Sequence, residues 1–217
     1  MTSVIRACCP AGAERGRGYV SSNDGDAPAF GYSGSPGPPV AEIEHELEER
    51  VAWHEAAHAV VGFMFGSQIR SISIAPPEAV TFYAPQRDPW TRMVCSLAGP
   101  AGEDARVRWH YDEPTDSVKD YVERARGLCG GRCDGCSAAT AAWQIVGIQA
   151  SDEAAQDQWR AAELEARRLC TRPDVRNAIS RLVDALMRTP RIDGSDAEAI
   201  IRNHVKFGEL AGKEEHA

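Results

Sequence analysis

Residues 52–61, "AWHEAAHAVV", place two histidines four apart, with a glutamate directly after the first, inside an apolar run. Residues four apart lie on one face of a helix, with Cβ atoms roughly 5–6 Å apart. Working outward, Ile43, Leu47, Val51, His54, His58, Val61 and Phe65 recur at helical steps, while Glu44, Glu46, Glu48, Glu49 and Arg50 fill the opposite face. The pattern predicts one amphipathic helix of about six turns, closed by Gly66, with both histidines on its buried stripe.

Beyond that helix, "IRSISI" (69–74) alternates as a half-buried strand does, and "AVTFY" (79–83) follows the breaker "APP" and is expected to pair with it as a hairpin. Helical spacing returns over 88–110, with Gly99-Pro100 as a kink or close-packing point. Another helix is predicted from Asp116, carrying Val118, Tyr121, Val122, Ala125 and Leu128 on one face. Further helices are predicted over 137–149, 151–170, 173–188 (opened by Pro173) and 195–204 (opened by the capping box Ser195-x-x-Glu198). The expected fold is mainly α with a small β-sheet or hairpin.

The 217 residues suit one ordinary domain. Residues 1–40 are rich in Gly, Pro and Ser and lack periodicity, so they are read as a disordered tail; the domain is placed at 41–206, and 207–217 as a flexible C-terminal tail. A net charge of −8 argues against a nucleic-acid partner. The longest apolar stretch, "AVVGFMFG", is far shorter than the roughly 20 residues of a membrane span. With no signal-peptide pattern and an odd count of seven cysteines, a cytoplasmic protein with reduced thiols is expected. Nothing in the pattern excludes an oligomer.

The chemistry sits at residues 54–58. Two imidazoles at this spacing can converge on one zinc ion, supplying half of a tetrahedral site. Glu55, rotated about 100° around the axis, is placed to reach a water on the ion. Zinc lowers the pKa of bound water to about 7, and a carboxylate within reach can take its proton as the water attacks a carbonyl carbon. Peptide hydrolysis is the reaction best served. The plainer reading is a core helix that happens to carry two histidines; two on one buried stripe each need a polar partner, which a shared metal supplies at once.

The stretch "VAWHEAAHAVVGFMFG" resembles the zinc-binding helix of the FtsH-type ATP-dependent zinc peptidases, and "VCSLAGPAGEDA" (94–105) resembles a second helix of that family. The likeness covers roughly residues 45–205. It implies a zincin-like helix in a helical peptidase domain, with His54 and His58 as zinc ligands, Glu55 as catalytic base, and a third ligand from an aspartate opening a later helix. Asp116 is the residue assigned to that role, with Asp120, Asp112 and, on chemical grounds, His110 left open; an ordinary helix cap is the alternative for Asp116. Full-length members also carry an ATPase module and membrane anchors, whereas no G-x-x-x-x-G-K-[ST] stretch occurs here. The resemblance therefore implies a stand-alone, ATP-independent metallopeptidase acting on peptides or unfolded polypeptide, unless a separate unfoldase works with it.

Other features compete for notice. "CGGRCDGC" (129–136) has the cysteine spacing of radical S-adenosylmethionine enzymes, but those need a barrel of repeated βα units. A second zinc on Cys129, Cys133, Cys136 and Cys170, or a loop with free thiols, fits better. Tyr83 marks a strand whose edge an extended peptide could join. The alternative to an enzyme is a non-catalytic module in which zinc staples helices together, recognisable by four protein ligands in place of three. A metal-free helical protein is the third reading.

Overall fold

The computed structural model describes residues 40–75, 80–83, 88–107, 116–127 and 133–211. The described residues form seven helices and three strands. In chain order these are α1 (Val40–Met64), β1 (Ile69–Ser73), β2 (Val80–Tyr83), α2 (Pro89–Val107), α3 (Asp116–Arg126), α4 (Asp134–Val146), α5 (Asp152–Thr171), α6 (Pro173–Arg188), β3 (Arg191–Asp193) and α7 (Gly194–Arg202). The fold is mainly α with one small antiparallel sheet of order β2-β1-β3. No described helix is long and apolar enough to cross a membrane.

α1 is the central helix. Ala52, Ala56, Ala57, Ala59, Val60, Val61, Phe63 and Met64 are all fully buried, so its second half is enclosed by the fold, with His54, Glu55 and His58 as its polar members. α2, α6 and the sheet surround it. Its C-terminus is a Schellman turn: Gly66, at φ 82°, donates to the Phe63 carbonyl at 3.0 Å and Ser67 donates to that of Gly62 at 2.9 Å. The chain continues in an ordered course past the boundary expected at residue 206. Gly208 N–H and Leu210 N–H bond to the Phe63 and Met64 carbonyls at 3.0 and 2.9 Å, covering the end of α1. Residues 1–39 and 212–217 lie outside the described set.

Small residues let α1 and α2 approach closely. A Cβ on Gly102 would collide with the Ala57 methyl and come within 3.0 Å of the Trp53 carbonyl. Gly99 and Pro100 lie inside a helix that continues to Val107, so this is a close-packing point within one element.

Three expectations need correction. β3 is an additional strand, three residues long and pinned against β1, too short to show alternation. α4 begins at Asp134, three residues earlier than expected, and ends where Gly147 takes φ 83°. The capping box does not form: Asp193, not Ser195, is the N-cap of α7 and makes no side-chain cap bond. The Glu198 carboxylate instead accepts from the Ile69 N–H at 3.0 Å and from Arg202 at 2.9 Å, tying α7 to the start of β1.

Candidate metal centre

His54 and His58, one turn apart on α1, turn the same ring nitrogen to the same point. Their Nε2 atoms are 3.1 Å apart, with the rings nearly perpendicular at 78°. A third atom joins them from the first residue of α4: Asp134 Oδ2 lies 3.0 Å from His54 Nε2 and 3.4 Å from His58 Nε2. His54, His58 and Asp134 thus form a group that could hold a metal ion. A tetrahedral ion with ligand bonds of 2.0–2.2 Å sets its ligand atoms about 3.3–3.6 Å apart, so the three separations require adjustments of only a few tenths of an ångström.

The other ring nitrogens are fixed from behind. His58 Nδ1 lies 2.8 Å from the Cys95 carbonyl oxygen, which can only accept, so Nδ1 carries the proton. His54 Nδ1 lies 2.7 Å from Glu103 Oε1, and Arg50 holds the other oxygen of that carboxylate. Both imidazoles are thereby set to present Nε2 as the ligand atom, with the outer bond that metal-binding histidines commonly make. α2 contributes one further condition. A Cβ on Gly99 would fall onto the Nε2 atoms of both histidines, so only glycine leaves the space in which the group converges.

The electrostatics favour positive charge at this point. Burial disfavours the charged form of His54, but hydrogen bonds to Asp134 and Glu103 outweigh it and raise the imidazole to about 10. His58 is raised against the same burial penalty, chiefly by the charge of Asp134. Asp134 is held well below the usual carboxylate range: burial would push it up, and the two imidazoles reverse that. Glu103, for which burial works in the same upward direction, is lowered to about 2 by His54 and Arg50. A field that holds a proton this firmly also suits a cation. The Asp134 side chain is 36% exposed against 8% for His58, so the group opens to solvent on the α4 side.

Glu55 is buried at 6% exposure, and its charge acts on both imidazoles. Its carboxylate accepts a hydrogen bond of 2.8 Å from Thr81 Oγ1 on β2.

The carboxylate that meets the pair is Asp134, which sequence reasoning did not consider. Asp116 does open a helix, α3, as expected, but its side chain lies outside the described residues, as do Asp112 and His110 entirely. Asp120 is exposed. Asp134 too is an aspartate opening a helix, but it stands within 129–136, where the cysteine spacing points to thiolates as the ligands. Cys129 lies outside the described residues. Cys133 caps α4, Cys136 is buried, and buried Cys170 points its thiol at the Ala98 carbonyl 3.7 Å away, with burial pushing that thiol up to about 12. Among the described residues these cysteines form no convergent group of ligand atoms; His54, His58 and Asp134 do.

No protein-family model matches the chain, and no curated protein matches it. Fold and site together define a mainly helical protein with a His/His/Asp group that could hold a metal ion.

Proposed function

We propose that the protein is a zinc-dependent metallopeptidase that hydrolyses peptide bonds in peptides or unfolded polypeptide, with His54, His58 and Asp134 as metal ligands and Glu55 as general base. The observation that carries this reading is the convergence of two Nε2 atoms and one carboxylate oxygen beside a buried, hydrogen-bonded glutamate. Two nitrogens and one oxygen suit zinc, and three protein ligands leave the further position that distinguishes catalytic from structural sites. When bound, zinc supplies a Lewis acid for the scissile carbonyl and acidifies water at the site. Glu55 takes the proton of the attacking water as the new C–O bond forms, then delivers it to the amide nitrogen as the C–N bond breaks. Arg50 and Glu103 hold His54 in the tautomer that leaves Nε2 free to bind.

The resemblance of the α1 and α2 segments to FtsH-type peptidases supports the same reading. The free thiols Cys95 and Cys170 suit a reducing, cytoplasmic compartment. The competing reading, a zinc staple without catalysis, requires a fourth protein ligand.

Glu55→Gln decides between them. Zinc bound per chain should stay near that of the wild type while hydrolysis of an unfolded polypeptide such as casein is lost, because Glu55 acts on water and is not a ligand. Loss of zinc together with activity contradicts the assigned role; a wild type that binds zinc and cleaves no polypeptide supports the staple.

A further inference from the structure

Thr81, on β2, reaches Glu55 from the sheet. Its Oγ1 lies 2.8 Å from Glu55 Oε2 and also 2.8 Å from the main-chain oxygen of the same residue. A threonine hydroxyl has one proton to donate, so it serves one of these acceptors at a time, and its oxygen can accept in return. Antiparallel pairing with β1, in which Thr81 stands opposite Ile72, holds the hydroxyl at this place. The branched Cβ restricts its rotation further.

We propose that Thr81 is the positioning residue for Glu55, an inference that rests on the peptidase reading above. While Glu55 is ionised, Thr81 donates to Oε2, and this charge-assisted bond fixes which carboxylate oxygen faces the water. Glu55 then takes the proton of the water on its other oxygen, Oε1, where the proton stays directed at the leaving amine. Oε2, no longer charged, holds the Thr81 proton less strongly, and that proton can turn to the Glu55 main-chain carbonyl. When the Oε1 proton passes on to the amine, the hydroxyl returns to Oε2. No bond to Thr81 is made or broken apart from hydrogen bonds, and in both states its proton has an acceptor at 2.8 Å. A plain apolar contact between β2 and α1 would need no second acceptor; the main-chain oxygen at the same distance gives the hydroxyl two places to rest.

The test uses the full chain loaded with zinc. Thr81→Val keeps the shape and removes the hydroxyl, while Thr81→Ser keeps the hydroxyl and removes a methyl. Thr81→Val is expected to hold zinc content and KM within about twofold of wild type while lowering kcat by about 10-fold or more, within the range that a general base supplies. Thr81→Ser should recover most of the loss. A second readout does not depend on turnover: in metal-stripped protein, the fall in denaturation midpoint caused by Thr81→Val should be clearly smaller in a Glu55→Ala background, because the carboxylate partner is already gone and only the main-chain acceptor remains. A fully active Thr81→Val, a Thr81→Ser as slow as the valine variant, or additive midpoint shifts overturn the role of Thr81 and leave the peptidase reading standing. A zinc-loaded wild type without turnover overturns both.

Discussion

Replacing Gly99 by alanine sets two effects of known sign against each other. Gly99 lies inside α2, where the general preference of helices for alanine over glycine favours the substitution by about 1 kcal/mol. The added Cβ, however, would lie 2.5 Å from His54 Nε2 and closer still to His58 Nε2. Ordinary contacts between non-bonded heavy atoms begin near 3.5 Å, so the rings or the helix must move by roughly 1 Å. Overpacking of this kind costs about 1–3 kcal/mol, enough to cancel the helix gain or exceed it. The metal site is more sensitive than the fold, because ligand distances are tolerated only within about 0.2 Å. Gly99→Ala is therefore expected to lower zinc affinity by at least about 10-fold, the scale of an outer-shell change, with a melting temperature equal to or below that of the wild type. Competition with a chromophoric chelator measures the first and a thermal melt of chelated protein the second. A variant that binds zinc as tightly as the wild type and melts higher would show that the space behind the two Nε2 atoms matters to neither.

Two further predictions concern the ligand set and its protons. Asp134→Ala should lower zinc affinity by about 100-fold or more, beyond the usual outer-shell effect, while Asp116→Ala leaves it within about threefold; chelator competition giving the reverse order would restore Asp116 as the ligand. In metal-free protein, His54 is held up at about 10 despite its burial, so its stabilisation is complete below pH 6.5 and is lost as pH rises toward 10. Glu103, lowered to about 2, contributes fully above its ordinary carboxylate value and loses that contribution as pH falls toward 2. Urea midpoints should consequently fall between pH 6.5 and 10 in the wild type and fall less in Asp134→Asn; a level wild-type profile across that range refutes the coupling.

The parts of the site legible in the sequence are those carried by one helix. Apolar periodicity placed α1 and its end at Gly66, and the spacing of His54, Glu55 and His58 put two candidate ligands and a candidate base on adjacent faces. Asp134 was not legible in the same way. It lies 80 residues from His54, and no local pattern specifies which helix start will meet a given helix face. Its helix also starts without the usual sign, since the N-cap Cys133 makes no side-chain cap bond, whereas Ser151, which caps α5, accepts from the Ala154 N–H as its residue type suggests. The Ser195–Glu198 pair failed for the opposite reason. The pattern was present, but tertiary structure offered Glu198 the N–H of Ile69 at the start of β1. Gly99 is legible beside Pro100 as a kink or close-packing point; that it faces two imidazoles is a fact of the α1–α2 approach, which Ala57 and Gly102 also set.

The arrangement of protons weighs against the plainest reading, in which His54 and His58 are ordinary core residues. A buried imidazole in a core is satisfied when one nitrogen donates and the other accepts. Here both Nδ1 positions are already committed as donors, to the Cys95 carbonyl and to a carboxylate that Arg50 keeps charged. The neutral forms would then direct two Nε2 lone pairs at each other across 3.1 Å, with a carboxylate oxygen beside them and no hydrogen among the three atoms. That is repulsive, and burial strengthens the repulsion. In metal-free protein a proton on His54, which Asp134 and Glu103 favour against the burial penalty, relieves it as a cation would, and the lack of a Cβ at position 99 leaves the rings room to converge. A core under selection for packing alone would resolve this with an apolar residue at either histidine at little cost. Three acceptors around one point, the two imidazoles tied in place from behind, favour a cation as the occupant, and the exposure of Asp134 gives it a way in.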